Sequence, residues 1–176
     1  WGDGSAAQQV NAYDDPNRSH MYAGPGIYRV TIDGTVEAIR FGDMPTIESA
    51  KLIAVPNLGD VGWTSFRQAF KGCTELGQLA GGVTHNVTDM YEMFQGAVQA
   101  TPETQTWDTA EVNNMASMFE FAQAANPETG RWDTGKVINM ETMFESASAA
   151  NPDTSRWDTA QVQSMVGMFF NARKAN

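Results

Sequence analysis

This chain is short of several things. It has one cysteine, Cys73, in 176 residues. A single thiol excludes a disulfide within the chain and a cysteine-built metal site, and leaves the redox compartment open. Histidine is nearly as scarce, with only His20 and His85. No Ser-His-Asp or Cys-His constellation assembles at a recognisable spacing, so no enzyme and no cofactor are expected. Positive charge is short too: 11 basic residues stand against 21 acidic ones, a net charge of −10. Such a surface repels phosphate backbones and anionic lipid, so nucleic acid is not an expected partner. No apolar run reaches the roughly 18 residues that span a bilayer, so no membrane span is expected. No signal peptide is visible. The chain starts abruptly at Trp1 and stops at Asn176 in mid-repeat, so both ends read as fragment boundaries, or as places that other parts complete.

Repetition is what the chain has in abundance. Trp107, Trp132 and Trp157 recur every 25 residues, and so do the Met-Phe pairs at 93–94, 118–119, 143–144 and 168–169, with Phe94, Phe119, Phe144 and Phe169 as their aromatic members. Val112, Met115, Met118, Phe119 and Ala122 are spaced as one apolar stripe of an amphipathic helix. The same frame returns at Val87–Ala97, Val137–Ala147 and Val162–Ala172, and eight of the ten methionines lie on it. The stripe is read as core rather than as a methionine-rich binding face. Asp108-Thr109, Asp133-Thr134 and Asp158-Thr159 stand where helix N-caps belong, and the aspartate charge suits a helix start. In two of the units Asn126-Pro127 and Asn151-Pro152 stop the helix. Short extended pieces follow at Glu103–Trp107, Glu128–Trp132 and Asp153–Trp157. The tryptophans pack the corners.

One helix and one short strand in 25 residues is the size of a leucine-rich repeat. The expected fold is therefore α/β: a leucine-rich-repeat-type right-handed solenoid of helix–strand coils. "WTSFRQAFKGCTEL" is a degenerate copy, with Phe66, Phe70 and Cys73 in the places of Met90, Phe94 and Ala97, so Cys73 reads as a buried small thiol. Leu52–Val55 supplies a first strand. Residues 1–43 have another texture. Ile27–Ile32 and Val36–Phe41 read as strands around the Asp33-Gly34 turn, a small β element capping the solenoid. The expected divisions are 1–43, a junction at 44–62, and repeats at 63–176.

The units "WDTGKVINMETMF" and "WDTAQVQSMVGMF" resemble the BspA-like leucine-rich repeats of bacterial surface proteins, whose core is Trp-Asp-Thr-Ser-x-Val-x-x-Met-x-x-Met-Phe. The resemblance covers roughly residues 63 to 176. The front, "WGDGS" with "SHMYAGPGIYRVTI", resembles part of a PKD-like β-sandwich. The chain departs from the first pattern at Ala125-Asn126 and Ala150-Asn151, where the family often has Phe-Asn, and at Thr104, Thr129 and Thr154, where it has an aliphatic residue. The resemblance implies a non-enzymatic module on the outside of a cell that binds a host protein, a glycan or another cell surface.

The face that could carry binding is the strand face. Its rows are Glu103, Glu128 and Asp153; Gln105, Gly130 and Ser155; and Thr106, Arg131 and Arg156. Charges on two of the rows argue against an ice-binding threonine plane. Asp3, Asp14 and Asp15 sit near turns and could hold calcium weakly, although turn residues usually bond their own backbone. No metal site is expected. His20 is expected to satisfy a local backbone group, and His85 to lie at the surface. The alternative to an adhesin is a structural or receptor-binding decoration of a larger assembly, such as the exterior of a phage or virus-like particle.

Overall fold

A computed structural model describes residues 1–12 and 15–176. The chain divides into two compact units, Trp1–Gly34 and Thr35–Asn176. Regular secondary structure is sparse among the described residues. It consists of a 3-10 turn at Pro16–Arg18, α1 at Thr46–Ser49, and the two-residue strands β1 (Gln78–Leu79) and β2 (Thr101–Pro102), which pair in parallel.

The expected helices over each Val-x-x-Met-x-x-Met-Phe-x-x-Ala stretch are absent, and so are the five-residue strands. The α/β leucine-rich-repeat solenoid of helix–strand coils is thus not the fold. The expected strands Ile27–Ile32 and Val36–Phe41 do not form either; Ala38 makes a single isolated parallel bridge to Ser65. The β cap is corrected with them.

The backbone explains why no helix forms. Gln68, Glu92, Ser117 and Thr142 all have φ between 51° and 57°, and Gly167 has φ 65°, at one repeated position. Four residues on, Gly72, Gly96, Phe121, Ser146 and Asn171 are left-handed as well, with φ between 57° and 72°. A left-handed residue every turn is incompatible with an α-helix of L-residues. The amide groups between them are also claimed elsewhere. The N–H groups of Met90, Glu92, Phe94 and Gly96 donate to the carbonyls of Asn114, Ala116, Met118 and Glu120 at 2.8–3.0 Å. Met115, Ser117, Phe119 and Phe121 donate likewise to Asn139, Glu141, Met143 and Glu145 at 2.8–2.9 Å. The next set, Met140 to Ser146, donates to Ser164, Val166, Met168 and Phe170. Between these rungs the chain closes three-residue turns, such as Met93 N–H to Met90 O at 3.2 Å and Ala97 N–H to Phe94 O at 2.9 Å.

Each 24- or 25-residue repeat is therefore one layer, built of turns and joined to the next by a ladder of main-chain bonds. Isolated parallel bridges mark a column from Ser65 through Asp89, Asn114 and Asn139 to Ser164. Side chains extend the ladder. The hydroxyls of Thr84, Thr109 and Thr134 donate to the carbonyls of Asp108, Asp133 and Asp158 at 2.8–2.9 Å, and those of Thr104 and Thr129 to Glu128 and Asp153 at 3.0 and 2.8 Å. These threonines are buried, apart from the last-layer members Thr154 and Thr159. An aliphatic residue at Thr104 or Thr129 would fill the space but leave the carbonyl without its hydroxyl donor.

The apolar stripe is core, as its spacing suggests, although no helix presents it. Met90, Met93, Met115, Met118, Met140 and Met143 are fully buried, with Phe94, Phe119 and Phe144. The phenyl rings from Phe70 to Phe169 stack one per layer, with centroids 5.4–5.5 Å apart. Trp107, Trp132 and Trp157 form a second stack at 6.4 Å and within 5° of parallel. Burying each such side chain contributes about 1.5–3 kcal/mol. Cys73 is fully buried, and burial pushes its thiol up to about 12, so it is core and no nucleophile.

The two ends of the second unit differ. At the front, residues 36–42 lie on the first layer: Thr64 N–H donates to Glu37 O at 2.9 Å, Phe41 N–H to Ala69 O at 3.0 Å, and Phe41 stacks on Phe70 at 6.4 Å. At the back, the last layer is uncovered. Met165 is 48% exposed and Phe169 38%, so these two expected core residues are not core in this layer.

The first unit is held by side chains. Trp1 and His20 stack at 5.1 Å, His20 meets Tyr22 edge-on at 4.7 Å, and Tyr22 stacks on Tyr28 at 4.0 Å. His20 Nε2 lies 2.6 Å from Asp3 Oδ2, so its partner is a carboxylate rather than the expected backbone group.

Candidate binding face

The segments 101–107, 126–132 and 151–157 occupy the same place in successive layers. Along the first, burial alternates: Pro102, Thr104 and Trp107 point in, while Thr101, Glu103, Gln105 and Thr106 point out. Along the second, Pro127, Thr129 and Trp132 are buried and Asn126, Glu128 and Arg131 exposed. In the third, Pro152 is buried while Asp153, Ser155 and Arg156 are exposed. The inward set is fixed by what it does: the prolines and tryptophans fill the core, and the threonines bond the next layer. The outward set is what remains, and it is the set the sequence nominates. Glu103, Gln105, Thr106, Glu128, Arg131, Asp153, Ser155 and Arg156 are all exposed, in three rows running along the stack.

The acidic rows are largely occupied at home. Glu103 Oε1 accepts from Gln78 Nε2 at 2.9 Å. Asp153 Oδ1 accepts from Ser155 N–H at 3.0 Å. The Ser155 hydroxyl and N–H, with the charge of Arg156, hold the Asp153 carboxyl below the ordinary range. Asp108, Asp133 and Asp158 do cap, but they cap turns. Each accepts the N–H two residues on, from Ala110, Gly135 and Ala160, at 2.9–3.1 Å, and no helix follows. This is an Asx turn, the local use of aspartate that competes with helix formation.

A shallow depression of about 430 Å³ opens on this face, lined by Gly130, Arg131, Trp132, Asp133 and Arg156. Gly130 makes room for Asp153: a Cβ there would lie 2.7 Å from Asp153 Oδ2. The sequence pattern misses this depression, because a glycine in a row of exposed residues reads as a gap rather than a feature. Trp132, which lines it, donates through Nε1 to Thr104 O at 3.5 Å, and Trp157 in the next layer donates likewise to Thr129 O at 3.4 Å. The indole N–H of Trp107 is buried without a partner.

A second polar cluster lies on the opposite turn of the layers. Glu92, 8% exposed, accepts from Gln68 Nε2 at 2.7 Å and Lys71 Nζ at 2.5 Å. Burial pushes its carboxyl up, but these bonds and one from Tyr91 outweigh it and hold it below the ordinary value. Arg67 sits 4.2 Å over the Tyr91 ring and 3.4 Å from Asp89. The proposed calcium ligands separate. Asp3 accepts from Ser5 N–H at 3.1 Å and pairs with His20, and Asp15 accepts from Asn11 and Asn17 N–H at 2.9 Å each. Asp14 lies outside the described residues. Among the described residues, no three His, Cys, Asp or Glu side chains gather as a metal site, and no helix is long and apolar enough to cross a membrane. His85 is exposed.

Comparison with known proteins places the layers in a family. Residues 64–176 match the family described as Mycoplasma protein of unknown function, DUF285. That span is most of the chain, and the chain belongs to this family. No curated protein and no solved structure matches it.

Proposed function

We propose that the chain is a non-enzymatic binding module, displayed at a cell surface, that holds a protein or glycan on another surface through the face formed by segments 101–107, 126–132 and 151–157. One observation carries this reading. The layered core fixes three rows of exposed side chains, and their chemistry differs from layer to layer: Thr106, then Arg131, then Arg156 in one row; Gln105, Gly130 and Ser155 in another. The depression lined by Gly130, Arg131, Trp132, Asp133 and Arg156 lies on the same face. Regularly stacked chains commonly present extended faces of this kind to partners. The resemblance of the repeats to those of BspA-like surface proteins supports the same reading and the extracellular location.

The test is binding of the purified chain to intact cells and to matrix-protein and glycan arrays, with Glu128→Lys/Arg131→Glu as the control. Saturable binding that the double variant loses is the expected result. A folded chain that binds nothing, or a variant that binds as well as the parent, would overturn it.

The last layer favours a second reading, a structural or receptor-binding decoration of a larger assembly. Met165, Val166, Phe169 and Phe170 are 38–68% exposed there. The ladder position that Met115 to Phe121 and Met140 to Ser146 fill has its next copy at 165, 167, 169 and 171, whose N–H groups donate to no backbone carbonyl among the described residues. An apolar face rimmed by such donors suits a further layer, whether of the same chain or of a neighbouring subunit. Co-purification with particle proteins, rather than with a cell envelope, would distinguish this reading.

A further inference from the structure

We propose that residues 36–42 are a strap that keeps copies of this chain from stacking head to tail, and that the last layer of one copy is shaped to take the strap's place on the first layer of another. The proposal is independent of the binding face and gives the open last layer an occupant.

The main chain of each layer has a direction. On the turn side, N–H groups point to the next layer and carbonyls to the previous one, as in the bonds from Met90, Glu92, Phe94 and Gly96 to Asn114, Ala116, Met118 and Glu120. The stack therefore ends in two unlike edges. At the last layer the donors are the N–H groups of Met165, Gly167, Phe169 and Asn171, which meet no backbone carbonyl among the described residues. At the first layer the matching acceptors are the carbonyls of Ser65, Arg67, Ala69 and Lys71. Both sets fall on alternate residues, so they match one for one. Two last layers placed face to face set N–H against N–H, and two first layers set carbonyl against carbonyl. Only a head-to-tail contact makes the bonds, and such a contact uses different surfaces on the two copies.

The side chains agree. Phe169 ends the column of stacked rings that Phe70 begins, with centroids 5.4–5.5 Å apart along it. Set on Phe70 of another copy, Phe169 continues that column and loses its exposure. Lys174 is exposed and makes no ion pair among the described residues. It stands in the column of Gln99 and Glu75, which already bond across one layer boundary at 3.3 Å. In the head-to-tail contact Lys174 meets Glu75 of the next copy, a cation against a carboxylate.

The strap fills the first edge incompletely. Each boundary between layers carries four turn-side bonds at 2.7–3.0 Å. Under the strap, Ala69 O accepts from Phe41 N–H at 3.0 Å, Gln68 O accepts from Gly42 N–H at 3.1 Å, and Ala38 bridges Ser65. The carbonyls of Arg67 and Lys71 accept no backbone N–H among the described residues. Phe41 lies 6.4 Å from Phe70, wider than the spacing between layers. The strap also depends on Gly42. A Cβ there would lie 2.9 Å from Gln68 Cβ and 3.0 Å from Lys71 Cβ, atoms fixed to the first layer's own backbone. Gly42→Val therefore lifts the strap without altering the layer beneath it.

Size exclusion with light scattering, over a range of concentrations, reads the association. The parent chain has only its last layer open and should stay monomeric. Gly42→Val opens both edges and should form a series of oligomers that lengthens with concentration. Phe41→Ala removes the strap's stacked ring and should do the same to a smaller degree; it carries the test if Gly42→Val shows no cooperative melting. Phe169→Asp puts a charge on the last layer, so Gly42→Val/Phe169→Asp should be monomeric alone. Mixed with the parent, this double variant supplies the open first layer and the parent the open last layer. The mixture should give a dimer of one copy of each and nothing larger. Lys174→Glu in the parent should weaken that dimer about threefold, as expected of an exposed ion pair. A parent that dimerises by itself would show that last layers pair with each other, against the proposal. Oligomers of the double variant alone would show that the loosened strap, and not the last layer, drives association. Folded strap variants that stay monomeric, a mixture that gives no dimer, or a dimer indifferent to Lys174→Glu would equally overturn it.

Discussion

The fourth and fifth layers carry nearly the same apolar residues and meet different fates. Met140 and Phe144 are fully buried; Met165 and Phe169, one repeat later, are 48% and 38% exposed. Thr134 donates to Asp158 O at 2.8 Å, whereas Thr159 is exposed. The sequence of a layer therefore does not bury that layer. A Val-x-x-Met-x-x-Met-Phe stretch buries its first Met and its Phe only when another such stretch lies on it, whereas its second Met is buried even in the last layer, Met168 being 7% exposed. Cohesion here belongs to the contact between layers, and a layer's own sequence supplies only half of it.

Cutting the same aromatic out of an inner and an outer layer puts the greatest load on this comparison. Phe119→Ala should destabilise the second unit by about 3–5 kcal/mol, since the ring is fully buried between Phe94 and Phe144. Phe169→Ala should cost less than half as much, having one stacked neighbour and an open side. Chemical denaturation of both measures it, and equal costs would mean that the last layer is covered in solution. Removing a hydroxyl should show the same asymmetry on a smaller scale. Thr134→Val leaves Asp158 O without its donor and should cost about 1–2 kcal/mol, while Thr159→Val should cost almost nothing.

Backbone conformation can be tested apart from packing. A Cβ at Gly96 would meet nothing within 4 Å, yet its φ is +71°. Gly96→Ala should therefore cost about 1 kcal/mol through the left-handed backbone alone. A neutral result would place the rungs on some other conformation. At the small end, Glu128→Lys should move stability by less than about 0.5 kcal/mol while changing binding.

The Glu92 pair predicts the acid side of the stability profile. Its carboxyl is held below its ordinary value in the folded chain. A group depressed by folding stabilises above its unfolded pKa, and that contribution is lost as pH falls through the folded one. Glu92→Gln should flatten the acid limb of a melting-temperature profile below about pH 4.3, the ordinary glutamate value, and leave the neutral region less affected. An unchanged acid limb would show that other carboxylates set it.

Much of this was legible in the letters. The period, the core stripe, the outward rows and the buried Cys73 follow from spacing and residue type, and the structure puts each where the pattern indicates, Met165 and Phe169 of the last layer excepted. Secondary structure was not legible. The stripe at i, i+3, i+6, i+7 and i+10 fits one face of a helix, and the Asp-Thr steps fit helix caps. Both patterns have a second solution. Three-residue turns closed at Met93 on Met90 and at Ala97 on Phe94 also bring those side chains to one side. Asp108, Asp133 and Asp158 cap a turn as readily as a helix. The warning lay in Gly72, Gly96 and Gly167, glycines at two repeated positions of a supposed helix, but Ser117, Thr142 and Phe121 stand at the same positions elsewhere and hide it. The depression at the arginines was hidden for a related reason, since its lining brings Gly130 and Arg131 together with Arg156 one layer away.

By itself, then, the sequence determined the period, the identity of the inward and outward residues, and the acidic balance, because these depend on composition and spacing alone. Only the tertiary structure decided between helix and turn. An amide can bond three or four residues back along its own chain or twenty-four residues ahead in the next layer. The second partner wins here because stacking supplies four aligned carbonyls at once, at Asn114, Ala116, Met118 and Glu120, while burying the Met and Phe stripe in the same step.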